Sequence, residues 1–234
     1  MQEIAPGIFH WTARHPTWRS SIEEVQSYAL IVDGAFILID PLLPPHADPH
    51  RSTLLWELDT RAADARRVHV IAVSPYHTRS AEELCRRWRD KRSTALWGHA
   101  RTRNRLEHTD TVLEEIPPGP AGSGIPIAGG LAQAFTISRP ARQETPVYLP
   151  TFEAVAFADA VVGDGAGLRV WNETDIAHAS LRERLHPTLA PLLELDLEHV
   201  LVTHGPPVIG RGRAALAEAL AAEPVDALPW PPKD

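Results

Sequence analysis

The clearest pattern of hydrophobic positions lies between residues 68 and 88. Residues 68–73 are almost all apolar and mostly β-branched, which is typical of a strand buried on both faces. Ser80 followed by Glu83 matches a capping box, and Leu84 and Trp88 then lie four residues apart on one helical face. The pattern predicts a central strand, a polar turn and a helix from Ser80. Open α/β sheets place their chemistry in turns of this kind.

A hairpin and a helix are predicted before this strand. Two apolar runs, 27–32 and 35–39, are joined by Asp33-Gly34, a pair that tolerates positive φ and favours a type I′ turn. Asp48-Pro49 offers an N-cap with proline at the first helical position, and leucines at 54, 55 and 58 give an apolar face to about residue 65. The predicted order is strand, strand, helix, strand, helix.

Shorter periodic segments predict the remaining elements. Strands are predicted at 7–12, 94–97, 132–137, 146–149, 154–157 and 199–203. Helices are predicted at 100–106, at 176–195 with breaks at Pro187 and Pro191, and at 213–222. Residues 117–130 are rich in proline and glycine, cannot sustain a helix, and are predicted to connect two halves of the fold at the surface.

Composition narrows the class of protein. The 234 residues, 44% of them hydrophobic, are enough for a substantial core, and we expect one domain over residues 1–234. A formal charge of −7 without a long basic block makes nucleic acid and anionic membranes poor partners and favours a small molecule or a protein. Cys85 is the only cysteine, which excludes an internal disulfide. We find no leader or membrane-span pattern and expect a cytoplasmic protein.

With this order of elements and four short sequence segments, the chain resembles the metallo-β-lactamase superfamily. The segments are Leu38-Ile39-Asp40-Pro41, residues 70–83, Phe157-Ala158-Asp159-Ala160 and Val202-Thr203-His204-Gly205. The resemblance covers nearly the whole chain. It implies an α/β fold, an αββα sandwich of two mixed β-sheets flanked by helices. It also implies a hydrolase with one or two metal ions.

The metal-binding motif implied by that resemblance is only partly present. The family's His-x-His-x-Asp-His motif covers residues 75–80, where His77 is retained but Pro75, Arg79 and Ser80 replace the other ligands. A further ligand histidine is replaced by Pro140. Asp159 matches the family's metal-bridging aspartate, and His204 matches the final histidine. The resemblance therefore predicts that His77, Asp159 and His204 converge at one rim of the fold.

These three positions are marginal for a metal. Zinc takes about three protein ligands even in an open catalytic site, and Arg79 puts a permanent cation where the family has a ligand. Our hypothesis is that Arg79 pairs with Asp159 in place of the ion, so no cofactor is expected. The alternative is one zinc or iron ion held by His77, Asp159 and His204.

The pocket candidates are Tyr76, His77, Arg79, Asp159 and His204, and simpler roles remain open for several of them. His77 and His204 are either general bases or hydrogen-bonded remnants, and Tyr76 is either a hydroxyl donor or a packing ring. The simplest role of Ser80 is to cap its helix, and that of His99 is structural. Arg139, Arg142 and Glu144 either orient an anionic substrate or pair with one another.

Two classes of function follow. The first is a non-catalytic or metal-free protein, a pseudoenzyme, that binds a small molecule in the family's pocket. The second is a hydrolase in which Arg79 stabilises a carboxylate or phosphate substrate, or in which the residual metal ligands act. The loss of ligands favours the first.

Overall fold

A computed structural model describes residues 1–15, 24–139, 143–172 and 176–226 of the chain. The chain divides into two compact units, Met1–Glu115 and Ile116–Asp234, and each is described by itself. Pro140 and Arg142, both considered above, lie outside the described residues.

The first unit is built on a seven-stranded mixed sheet with two helices. The strands lie in the sheet in chain order: β1 (Gln2–Ala5), β2 (Ile8–Arg14), β3 (Glu24–Val32), β4 (Ala35–Ile39), β5 (Arg67–Ala72), β6 (Ser93–His99) and β7 (Leu113–Ile116). Strands β1 to β4 pair antiparallel, whereas β4, β5 and β6 run parallel. The helices are α1 (His50–Asp64) and α2 (Ala81–Trp88), and short 3-10 turns cover Pro75–His77 and Ala100–Arg105.

The hydrophobic pattern predicted the centre of this unit. Strand β5 is buried from Val68 to Ala72, and helices α1 and α2 contribute Leu58, Leu84 and Trp88 to the same core. Each such side chain stabilises the fold by about 1.5–3 kcal/mol through burial. The α2 thiol lies in this core, and burial raises the pKa of Cys85 to about 12, so a thiolate ligand is not available there.

The predicted hairpin is confirmed. Strands β3 and β4 pair antiparallel, and both turn residues have positive φ, +50° at Asp33 and +73° at Gly34, as a type I′ turn requires.

The predicted capping box at the start of α2 is wrong. Ser80 precedes the helix, but its hydroxyl accepts the N–H of Leu43 at 2.9 Å instead of a helical N–H. Glu83 forms an ion pair with Arg51 of α1. Both side chains serve contacts with distant residues, which local spacing does not reveal.

The second unit has a five-stranded mixed sheet, a two-stranded ribbon and two helices. The sheet has the order β14-β11-β10-β9-β8, and its strands are β8 (Gly124–Ile127), β9 (Ala132–Phe135), β10 (Val147–Leu149), β11 (Ala154–Phe157) and β14 (His199–Val202). The ribbon pairs β12 (Val161–Gly163) with β13 (Leu168–Val170). Helices α3 (His178–Leu189) and α4 (Gly212–Ala221) contribute leucines to the core formed by Phe157 and Val202.

Two expectations for this unit need correction. The segment 117–130 is not only a connection, because it contains β8, whose partner is β9. Pro187 does not break α3, which continues to Leu189. The proline lies in the last turn, where it removes one hydrogen bond and little of the helix follows. Pro191 does follow the end of the helix, at the start of a 3-10 turn over Ala190–Glu194.

Among the described residues, no helix has both the length and the apolar character that a bilayer span needs.

Candidate functional site

Each unit places one aspartate and one histidine after neighbouring parallel strands. Asp40 follows β4 and His77 lies in the turn after β5. In the second unit, Asp159 follows β11 and His204 follows β14. Because the carboxyl ends of parallel neighbours meet at the same edge of a sheet, each pair of side chains is brought together by its own unit.

In the first unit, Asp40 fixes the orientation of the His77 ring. Its Oδ2 lies 2.8 Å from His77 Nδ1, and its Oδ1 accepts the backbone N–H of Val73 at 2.8 Å. Both side chains are buried. A carboxylate accepts only, so the network assigns a hydrogen to Nδ1, and in the neutral ring the lone pair then lies on Nε2. In the sequence Asp40 stood out only as part of the segment Leu38-Ile39-Asp40-Pro41, although its position directly after a predicted strand was a usable signal.

Replacing Asp40 with asparagine is expected to reverse the His77 tautomer. Asparagine suits the positive φ of +44° at this position, and its carbonyl oxygen can still accept from Val73. The amide NH₂ then faces Nδ1, which must become the acceptor. Nitrogen-15 NMR of the imidazole is expected to show an Nδ1–H tautomer in the parent and an Nε2–H tautomer in Asp40→Asn. An unchanged tautomer would show that Asp40 does not control the ring.

Arg79, which takes the place of a metal ligand in the resemblance, is held by backbone carbonyls of its own unit. Its Nη1 donates to the carbonyl oxygen of Asp40 at 3.1 Å and lies 3.5 Å from that of Gln26. Its φ is +42°, a left-handed conformation that is uncommon for a residue with a long side chain. The prediction that Arg79 pairs with Asp159, which belongs to the second unit, stays a prediction.

In the second unit, His204 and Asp159 are in contact and both are buried. His204 Nε2 lies 3.2 Å from Asp159 Oδ1, and the edge of the imidazole meets the Trp171 ring at a centroid distance of 5.6 Å. The aromatic contact and the carboxylate together restrict the histidine ring.

A buried arginine and a buried glutamate complete this group. Arg139 Nη1 donates to Glu144 Oε2 at 3.0 Å and lies 3.5 Å from Asp159 Oδ2. Glu144 also accepts the backbone N–H groups of Ala158, Asp159 and Ala160 at 2.7–3.1 Å. Burial raises the pKa of Glu144, and the guanidinium of Arg139 opposes that rise. Glu144 therefore holds the segment that carries Asp159. Of the two roles considered for Arg139 and Glu144, the structure shows their pairing.

Two other residues considered in the sequence, Tyr76 and His99, make contacts within the first unit. The Tyr76 ring is partly exposed and lies under the Arg105 guanidinium, 4.6 Å from it, which favours a packing role. His99 accepts the N–H of Arg101 at 3.0 Å, and burial lowers the pKa of the imidazole. Both contacts stabilise the 3-10 turn over Ala100–Arg105 and its surroundings.

No protein-family model matches the sequence, and no curated protein matches it either. Several solved structures do match the chain. The DIM-1 metallo-β-lactamase is 16% identical with a TM-score of 0.64, over 94% of this chain and 95% of that one. A metallo-β-lactamase from Pontibacter korlensis is 15% identical with a TM-score of 0.62, covering 94% and 96%. The FIM-1 enzyme from Pseudomonas aeruginosa, in its mono-zinc form, is 12% identical with a TM-score of 0.60, covering 94% and 93%. The chain therefore has the metallo-β-lactamase fold.

Proposed function

We propose that the chain is a metal-free pseudoenzyme of the metallo-β-lactamase fold that binds a small molecule. The observation that carries the proposal is the position of Arg139, whose guanidinium lies 3.5 Å from the Asp159 carboxylate. Asp159 is the position where the family has its bridging metal ligand. A permanent cation beside this carboxylate supplies the charge that a metal would otherwise supply.

The charges of the second unit support the same proposal. The carboxyl groups of Glu144 and Asp159 both lie beside one permanent cation, the buried guanidinium of Arg139. A divalent cation on Asp159 would instead place two positive charges close to a buried guanidinium. Like charges repel strongly where water is excluded, so these residues do not fit a metal well.

The alternative is a metal-dependent hydrolase with His77, Asp159 and His204 as ligands. Two observations favour it. Asp40 orients His77 in the way that a carboxylate orients a metal-binding histidine. The 3.2 Å between His204 Nε2 and Asp159 Oδ1 is also close to the ~3.4 Å that two zinc bonds of about 2.1 Å give at a tetrahedral angle. The structurally similar FIM-1 enzyme has been solved in a mono-zinc form.

Metal analysis separates the two functions. Untagged protein purified without chelator is expected to carry less than about 0.2 equivalents of zinc, iron or manganese, because a cation already occupies the neighbourhood of Asp159. Added zinc is expected to leave the melting temperature unchanged. Near-stoichiometric metal that survives gel filtration, and is lost in His204→Ala but kept in the exposed control His50→Ala, would establish the hydrolase instead.

A further inference from the structure

We propose that the first unit binds a small carboxylate or phosphate in a cleft of about 230 Å³ lined by residues 42–45 and by Arg14, His15, Arg51, Arg79 and Ser80. The inference rests on the proposed function, because it takes the ligand to be a small molecule. It adds the chemical class of that ligand and the place where the ligand binds. The cleft is smaller than the ~300–1,000 Å³ of sites for drug-sized ligands, so it suits a compact metabolite.

Arg51 is the buried donor of this cleft. It is 8% exposed, and its guanidinium donates to the Pro44 carbonyl oxygen and to Glu83. These two bonds use one N–H group on each terminal nitrogen, whereas a guanidinium has five N–H groups in all. They fix a planar fork of donors at the cleft wall, which is the geometry that pairs with both oxygens of a carboxylate or phosphate. Glu83 is nearly half-exposed, so it offsets only part of the charge.

Arg79 and Ser80 also line the cleft. The guanidinium of Arg79 is fixed by the carbonyl oxygens of Asp40 and Gln26, and its backbone is in the left-handed region. Backbone strain of this kind persists where the surroundings enforce it, and it is common at ligand sites. The Ser80 hydroxyl accepts from Leu43, so its own O–H can serve as a donor. It lies at the same cleft.

Charge distinguishes this cleft from a larger one nearby. Among the described residues, the lining of the smaller cleft includes three arginines and no carboxylate. The larger cleft, of about 530 Å³, also includes Arg79 but adds three glutamates. An anion is therefore attracted to the smaller cleft and not to the larger one.

Calorimetric titration of the full chain with phosphate and, separately, with succinate tests the inference. At least one of the two is expected to bind with a dissociation constant of about 1 mM or below in low-salt buffer, and more weakly as salt is added. Arg51→Gln is expected to weaken binding about tenfold or more, because it removes charge-assisted hydrogen bonds. Arg14 is exposed, so Arg14→Gln tests the site even if Arg51→Gln fails to fold, with an expected loss of about threefold.

The control is Arg87→Gln, since Arg87 pairs with Asp59 outside the cleft. It is expected to leave anion binding unchanged. Absence of binding by both anions up to about 10 mM, or equal effects of Arg14→Gln and Arg87→Gln, would overturn the inference. Metal content measured on the same sample separates the proposals. Bound metal with anion binding intact rejects only the pseudoenzyme, whereas a metal-free chain that binds neither anion rejects only the cleft.

Discussion

Replacing Arg139 with methionine is expected to lower the free energy of unfolding by about 3–5 kcal/mol, because it removes one partner of a buried charged group. Arg139 and Glu144 are almost completely buried and 3.0 Å apart, and Asp159 lies beside them. Without the guanidinium, two buried carboxylates remain with one cation fewer. Urea unfolding of the parent and the variant measures the loss.

Two further variants give this prediction its control. Arg211→Met removes an exposed arginine that pairs with Glu218, and it is expected to cost less than about 1 kcal/mol. Asp159→Asn is expected to cost less in the Arg139→Met background than in the parent, with a coupling of about 1–3 kcal/mol. Equal losses from Arg139→Met and Arg211→Met, or additive effects of Arg139→Met and Asp159→Asn, would remove the basis for Arg139 as the counter-charge.

Replacing Gly205 with alanine is expected to lower the free energy of unfolding by about 2–5 kcal/mol, the sum of a left-handed backbone cost and an overpacking cost. Gly205 has φ +76°, and a Cβ there would lie 2.2 Å from the carbonyl oxygen of Gly163. The N–H of Gly163 donates to the His204 carbonyl oxygen at 2.8 Å, so this close approach holds the loop that carries His204. Urea unfolding measures the cost.

Gly167→Ala is the matched control for Gly205→Ala. No atom lies within 4 Å of the position where the Gly167 Cβ would be, and its φ is outside the left-handed region. Its expected change in unfolding free energy is within about 1 kcal/mol in either direction. Similar losses from the two alanine variants would mean that the approach of Gly205 to Gly163 does not constrain the loop.

The hydrophobic pattern was sufficient for the longer elements of the fold. Strand β5 and the residue that follows it together have five apolar side chains, all of them buried. The β3–β4 hairpin has both a strong apolar pattern and an Asp-Gly turn. Strands β12 and β13 have three residues each, too few for a period of two to be recognised. Residues 124–127 were missed because their proline and glycine neighbours obscure β8.

The partners of the polar residues could be predicted only in part. Ser80 and Glu83 have the spacing of a capping box, yet Leu43 and Arg51 compete for them from far along the chain. The sequence predicts an arginine beside Asp159, and the arginine we named is Arg79. Within the second unit the contact comes from Arg139, 20 residues earlier in the chain, because β9 and β11 both pair with β10 and so bring the two segments together. Such pairings depend on the fold and not on local spacing.

The most direct test of the central claim is an anomalous diffraction map of crystals of the full chain grown with excess zinc. If Arg139 takes the place of the ion, no anomalous peak will appear within bonding distance of Asp159, and the guanidinium will remain beside the carboxylate. A peak at about 2.0–2.2 Å from Asp159 Oδ1 and His204 Nε2, with Arg139 displaced, would contradict the account and identify a metal site.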